Sequence, residues 1–395
     1  MADDIKTLAA EASSLASKAA EMQEQASQAL LDAASRLTRV QEILAKPVEP
    51  PPGKGWGPGP LSGLPWHSGA RCQNDSAVTA FVAAGRPGRP CDIIQCFNGR
   101  EQAATWEDVA GGKDDSLTAF DGTMSLTRGQ KGAFFIWKAH PELDAVLTYR
   151  PIPNTESNRG GKNPRIWERV AGGEFNWAYR RAGRKIAGLD AQYPRRGRLI
   201  IEIAREMTGE WDQHSIVGAQ QWFPGAWAKI VAAMRAGYRE ASGRDMPHLI
   251  WFRPARSPVA NGVWTEAILP PAETWDGIGL SQHDNGWAPC TPQDPHLNWR
   301  RYKNAEGLDN IAELADRYGK LLGLWEWSSH HDEADNDSGP HPQVFTQSMW
   351  DWFSRDDIRA RLAGETYFLS SVTTFVGNLS WEGTKAYRKL WGAAR

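Results

Sequence analysis

Arg198-Leu199-Ile200-Ile201-Glu202-Ile203-Ala204-Arg205-Glu206-Met207-Thr208-Gly209-Glu210-Trp211 is the stretch that decides the fold class. Its apolar, β-branched start predicts a buried strand, Arg-Glu-Met stands at the strand exit, and Gly209 lets the backbone turn away. Period-2 alternation puts Glu202, Ala204 and Glu206 on one face and Ile201, Ile203 and Arg205 on the other. Glu206 therefore leaves the strand on the same face as Glu202. The deeper Glu202 reads as a paired core carboxylate, because buried charges are normally paired.

A second stretch repeats the design: Gly319-Lys320-Leu321-Leu322-Gly323-Leu324-Trp325-Glu326-Trp327-Ser328 is an apolar strand delivering Glu326 between two tryptophans. A carboxylate between aromatic rings is poorly placed for a structural salt bridge and well placed as a nucleophile in a groove that stacks sugars. Two glutamates at two strand ends are what a retaining glycosidase needs, one acid to protonate the leaving oxygen and one carboxylate to attack the anomeric carbon.

Similar short runs at 92–97, 134–137, 145–149, 249–252, 277–280 and 367–371 alternate with helix-like segments at 177–187, 222–238 and 308–318. That alternation predicts a parallel sheet with crossover helices, and a body of this size, 61–395, fits a (β/α)8 TIM barrel with its chemistry at the C-terminal strand ends. Before it, 47–60 has ten Pro or Gly among fourteen residues and reads as a semi-extended linker. Residues 1–46 hold no Gly, Pro or Trp and predict one α-helix. Ile5, Ala12, Ala19, Ala26, Ala33 and Val40 fill one heptad seam and Leu8, Leu15, Met22, Ala29 and Ile43 the other, broken only at Arg36. So narrow a stripe on a helix of about 65 Å cannot bury itself, so a coiled-coil stalk and self-association are expected, as a trimer or another homo-oligomer.

In the 395 residues, 45 basic side chains face 47 acidic ones, a net charge of −2 that argues against nucleic acid or an anionic membrane as partner. No run reaches the roughly 18 apolar residues of a membrane helix. The start, with Asp3, Asp4 and Glu11, lacks the pattern of a secretory signal. Four cysteines, Cys72, Cys91, Cys96 and Cys290, form no CxxC pair, and Cys91 and Cys96 fall on opposite faces of a strand, so they are not expected to bond each other. All 20 tryptophans lie at Trp56 or later. Trp211, Trp287, Trp325 and Trp327 neighbour the predicted strand ends and are the candidates for a sugar-binding groove. In the loop after Glu326, Glu333, Asp335 and Asp337 alternate as in a calcium site, but Gly339 and the missing closing Glu spoil the spacing. A polar substrate-lining loop is expected there, with His330 a sugar contact, and neither a metal nor another cofactor. The basic cluster Arg180, Arg181, Arg184, Lys185, Arg195, Arg196 and Arg198 reads as a solvated helix face that, if functional, suits an acidic polysaccharide.

The Glu206 segment, Arg205-Glu206-Met207-Thr208-Gly209-Glu210-Trp211, resembles the His-Glu-Met-Asn-Gly-x-Trp signature of glycoside hydrolase family 26, the β-mannanase family and its relatives. Trp222-Phe223-Pro224-Gly225-Ala226-Trp227, the strand and loop from Leu249 through Arg253 to Pro258, Trp275-Asp276-Gly277-Ile278-Gly279-Leu280 and Trp325-Glu326-Trp327 follow in that family's order. The resemblance implies a (β/α)8 barrel and a double displacement with Glu206 as acid/base and Glu326 as nucleophile, their carboxyl groups about 5–5.5 Å apart. Arg205 stands at the family's His, Thr208 at its Asn, and His283 near its Tyr; Arg205, Arg253 and His283 are candidate substrate contacts. A cation beside the acid/base favours the ionised form, which suits a general acid poorly unless Arg205 points outward.

A retaining endo-glycosidase of a β-linked cell-envelope polysaccharide is thus expected. The stalk-and-barrel layout resembles tail-fibre or tail-tip proteins of tailed bacteriophages, which implies a virion location and contacts with other tail proteins. The alternative is a carbohydrate-binding adhesin on the same barrel with catalysis lost. With 1–46 intact, the chain is expected to be an oligomer by multi-angle light scattering; a monomer would refute the stalk.

Overall fold

Eight short, mostly apolar runs form the staves of a closed parallel barrel in this computed structural model. They are β1 (His67–Arg71), β2 (Ile93–Phe97), β3 (Asp144–Tyr149), β4 (Leu199–Ile203), β5 (Leu249–Phe252), β6 (Gly277–Ile278, resumed at Gln282–His283), β7 (Leu321–Ser328) and β8 (Leu362–Phe368). Each pairs in parallel with the next, and β8 closes the cylinder on β1. Around them run α1 (Asp75–Gly85), α2 (Trp106–Val109), α3 (Arg165–Ala171), α4 (Asn176–Gln192), α5 (Phe223–Ser242), α6 (Leu308–Arg317), α7 (Pro342–Ser354), α8 (Asp356–Arg359) and α9 (Glu382–Trp391). The fold is a (β/α)8 barrel.

The structure describes residues 54–71, 75–87, 89–97, 105–110, 138, 140–255, 259–260, 263–264, 266–283, 299, 307–329, 342–368 and 382–392. Of the two units into which the chain divides, Met1–Val48 and Glu49–Arg395, the first lies outside those residues. So do the expected stalk, the strand at 134–137, Trp287 and the loop carrying His330. Among the described residues, no helix is long and apolar enough to cross a membrane, and Cys91 and Cys96 are free buried thiols.

Alternation along the staves builds two cores. Ile93, Val146, Ile200, Trp251, Leu321, Trp325 and Ala363 fill the barrel's interior, while the larger outer core packs staves against helices. Above the inner apolar layer lies a polar one. Thr148 Oγ1 donates to Glu202 at 2.6 Å, Gln95 Nε2 donates to Thr148 Oγ1 at 3.0 Å, and Thr366 Oγ1 donates to Gln95 Oε1 at 2.9 Å. Trp56 packs against the inner core from the N-terminal pole, with the Arg198 guanidinium 4.4 Å from its ring centroid. Its backbone N donates to Leu362 O and that of Gly55 to Ala360 O. Gly55 and Trp56, within the expected 47–60 spacer, therefore pack on the barrel.

Several expectations are corrected here. Trp325, read as a groove residue, is fully buried and meets Trp251 edge-on, centroids 5.0 Å apart, inside the barrel. Trp327 is equally buried on the outside, packed on Tyr367, Phe353 and Trp391, with its Nε1 donating to Glu365 at 2.6 Å. The last stave begins at Leu362 rather than at residue 367, because Gly364 and Glu365 interrupt the apolar signal. Glu365 is buried yet satisfied, by Ser68, Trp327 and Trp391. β1 carries no apolar signal either; at Gly69 a Cβ would stand 1.6 Å from Ile93 O, so the pairing of β1 with β2 requires glycine. The basic cluster is no single face: Arg180 and Arg184 meet Glu240, Lys185 is buried, and Arg198 reaches Asp144.

Gly323 sits under both interior tryptophans: a Cβ there would lie 2.4 Å from the Trp325 ring and 2.8 Å from that of Trp251. Gly323→Ala is expected to cost about 1–3 kcal/mol by overpacking, read as a lower urea midpoint at unchanged m-value.

Candidate active site

Glu206 and Glu326 are brought to the barrel mouth by two departures from regular strand geometry. After β4, Ala204 takes φ 51° and Glu206 φ 53°, the left-handed region that L-residues avoid. This breaks the alternation expected past Ile203, so Arg205 and Glu206 both reach the mouth rather than opposite faces. On β7 the pairing with β8 shifts register between Trp325 and Trp327, and Glu326, at that irregularity, has φ 119°. A bulge of this kind re-aims one side chain. Trp325 keeps to the interior, Trp327 to the outer core, and Glu326 is turned upward into the site.

The strained segment is held from several sides. Glu206 N donates to Arg253 O at 2.8 Å, and Gly209 N donates back to Glu206 O at 2.8 Å. His214 Nε2 meets the carbonyl O of Arg205 at 2.5 Å, so this nitrogen carries the proton. Burial keeps His214 neutral by lowering its pKa, against the pull of Asp212. Thr208 turns away from the carboxylates, its Oγ1 accepting from Ala255 N at 2.9 Å. Trp211 lies beside Glu206: it is 46% exposed, and its Nε1 donates to Glu206 Oε2 at 2.7 Å. Gly209 makes room for that ring, since a Cβ would stand 2.5 Å from it.

Charge organises the rest. Arg253, read as a substrate contact, is fully buried and is corrected to a strut beneath the site: its Nε and Nη2 bind Glu202, while Nη1 donates to Ser281 Oγ and, at 3.1 Å, to Glu326 Oε2. Glu202 is thus the paired core carboxylate expected. Arg205 points inward, not outward. Its Nη1 lies 2.8 Å from Glu326 Oε2 and 3.8 Å from Glu206 Oε2, and its Nε 3.3 Å from Asp212 Oδ2. Glu326 Oε2 thereby serves two guanidinium groups, whereas Oε1, also buried, has no hydrogen-bond partner. Burial pushes the Glu206 carboxyl up, but Arg205, Arg253, a hydrogen bond from Ser281 and nearby His283 outweigh it and hold it well below the usual carboxylate range.

His283 stands at the resumed end of β6, its Nδ1 2.8 Å from Ser328 Oγ. One ligand-type atom each from Glu206, His283 and Glu326 lie within 4.8 Å of one another. The three could surround a cation, and Arg205 supplies a positive charge in that space. Sequence reasoning missed Ser281, Asp212 and His214; the Asp-x-His spacing just past Trp211 was the available signal.

The fold is similar to solved structures of family 26 enzymes. The catalytic domain of the Bacillus sp. JAMB-750 endo-beta-1,4-mannanase is 15% identical, with a TM-score of 0.55 over 85% of this chain and 88% of that one. The Bacillus subtilis mannanase man26 is 12% identical, with a TM-score of 0.50 over 82% and 84%. A β-mannanase from Bacteroides ovatus is 11% identical, with a TM-score of 0.50 over 90% and 91%. At such identities the likeness is one of fold. No protein-family profile and no curated protein matches the sequence.

Because Arg205 favours the ionised form, Arg205→Met is expected to raise the pH at which Glu206 titrates. Carboxyl 13C shifts of labelled glutamate check this; an unmoved titration would show that Arg205 is not the cause.

Proposed function

We propose that the chain is a retaining glycoside hydrolase of a β-linked cell-envelope polysaccharide, with Glu206 as acid/base and Glu326 as nucleophile. The observation that carries the reading is the carboxylate pair itself. One oxygen of each group lies within 4.8 Å of the other, which favours the short carboxyl separation of about 5–5.5 Å used in double displacement over the wider one that seats an attacking water. The family 26 fold supports the same reading.

The geometry suggests the steps. Glu326 is anchored through Oε2, which leaves Oε1 to attack the anomeric carbon. Glu206 protonates the glycosidic oxygen as that bond breaks, giving a glycosyl ester on Glu326. Glu206, now a carboxylate, takes a proton from water as its oxygen adds to the anomeric carbon and Glu326 departs. Trp211 offers an exposed ring beside the acid for a sugar to stack on. The stave-end strain at 204, 206 and 326 fits a site held ready for reaction.

A second reading, a binding-only adhesin, is favoured by Arg205, which keeps Glu206 ionised in the empty site. A place on a phage tail, with oligomerisation and contacts to other tail proteins, rests on the heptad pattern of 1–46 alone.

Glu326→Gln is expected to lower kcat by roughly a thousandfold or more, and 1H NMR should show the β-anomer released first. Binding without new reducing ends, unchanged in Glu326→Gln, would overturn the hydrolase in favour of the adhesin.

A further inference from the structure

Four of the eight staves end in an arginine. Arg71 closes β1, Arg150 follows β3 directly, Arg205 stands two residues beyond β4, and Arg253 follows β5 directly. These ends form the mouth of a (β/α)8 barrel, so four guanidinium groups share the pole that holds Glu206 and Glu326. Their roles differ. Arg253 is spent beneath the site on Glu202, Ser281 and Glu326. Arg205 lies against both candidate catalytic carboxylates, and its side chain keeps 16% of its surface exposed. Arg71 lies 4.9 Å over the Phe368 ring, which His283 also meets, at 5.1 Å between centroids. One ring thus links a second cation to His283.

A neutral sugar presents only hydroxyl groups to this array, and a hydroxyl competes poorly with two carboxylates for a guanidinium. While Arg205 stays between them, Glu206 has no proton to give. A ligand carboxylate would compete on equal terms, in the bidentate geometry that arginine prefers. With Arg205 drawn off, burial, the largest influence on Glu206, acts with less opposition and pushes its pKa upward.

We propose that the glycan taken at this mouth is acidic, and that a carboxylate on the sugar in the reacting subsite pairs with Arg205, releasing Glu206 and Glu326 for catalysis. The inference rests on the hydrolase reading for its catalytic half and adds the substrate class. Arg195, Arg196 and Arg198 of the exterior basic cluster directly precede β4, at the pole opposite the mouth.

The test takes the full-length chain and β-linked uronic-acid polymers, namely polymannuronate, hyaluronan and β-glucuronan, each beside the same polymer after carboxyl reduction. Binding is read by calorimetry and cleavage by new reducing ends. At least one acidic polymer is expected to bind roughly tenfold or more tighter than its reduced form and to be cut only when acidic, with Arg205→Met erasing the difference. Binding of no acidic polymer, equal treatment of reduced forms, or a preference that survives in Arg205→Met would overturn the proposal; the wild-type comparison decides even if the variant does not fold. Cutting of a neutral β-mannan without acidic preference would remove the substrate class and keep the hydrolase. Arg205-dependent acidic binding without cleavage would keep the class and remove the hydrolase.

Discussion

Arg253 is the constraint on which the mouth is built. A guanidinium with no solvent contact must have its charge met inside the protein, and removing one partner of such a group is far more costly than never burying it. Here the partners are Glu202 below and Glu326 above, while the residue's own carbonyl receives the Glu206 amide. One residue thus touches the backbone of one candidate catalytic group and the side chain of the other. The polar ring of Gln95, Thr148 and Thr366 completes the satisfaction of Glu202, and Trp251 and Trp325 belong to the apolar core of the barrel's interior.

Above that strut the site is a balance of opposed charges. Glu206 and Glu326 both pair with Arg205, Glu326 pairs also with Arg253, and Asp212 pairs with Arg205. The reactivity of such a site depends on what a ligand does to the balance. That separates it from a pair of carboxylates sharing one proton, where mutual repulsion alone raises one pKa.

The barrel was legible because parallel staves, buried on both faces, leave apolar runs, and 199–204, 249–252 and 321–325 stood out for that reason. Glu206 and Glu326 were legible as charges at the ends of such runs. β1 and the start of β8 were not, since glycine and hydrogen-bonded glutamate replace the apolar signal there. Trp325 and Trp327 misled for another reason. A ring that stacks a sugar and a ring that fills a core ask for the same flat apolar surface, and only the bulge at Glu326 decides that its two neighbours point to the two cores. The inward turn of Arg205 was hidden too, because alternation cannot anticipate a left-handed residue such as Ala204.

The three left-handed residues, Ala204, Glu206 and Glu326, also carry a backbone cost of their own. Glycine occupies such backbone without penalty, and a protein that only needed to hold a sugar could relax to it at position 204 with no chemical loss. Retaining side chains at three unfavourable positions around one opening sets local comfort against placement of reacting atoms. The backbone at these positions is thus a constraint on the mouth separate from the side chains it carries.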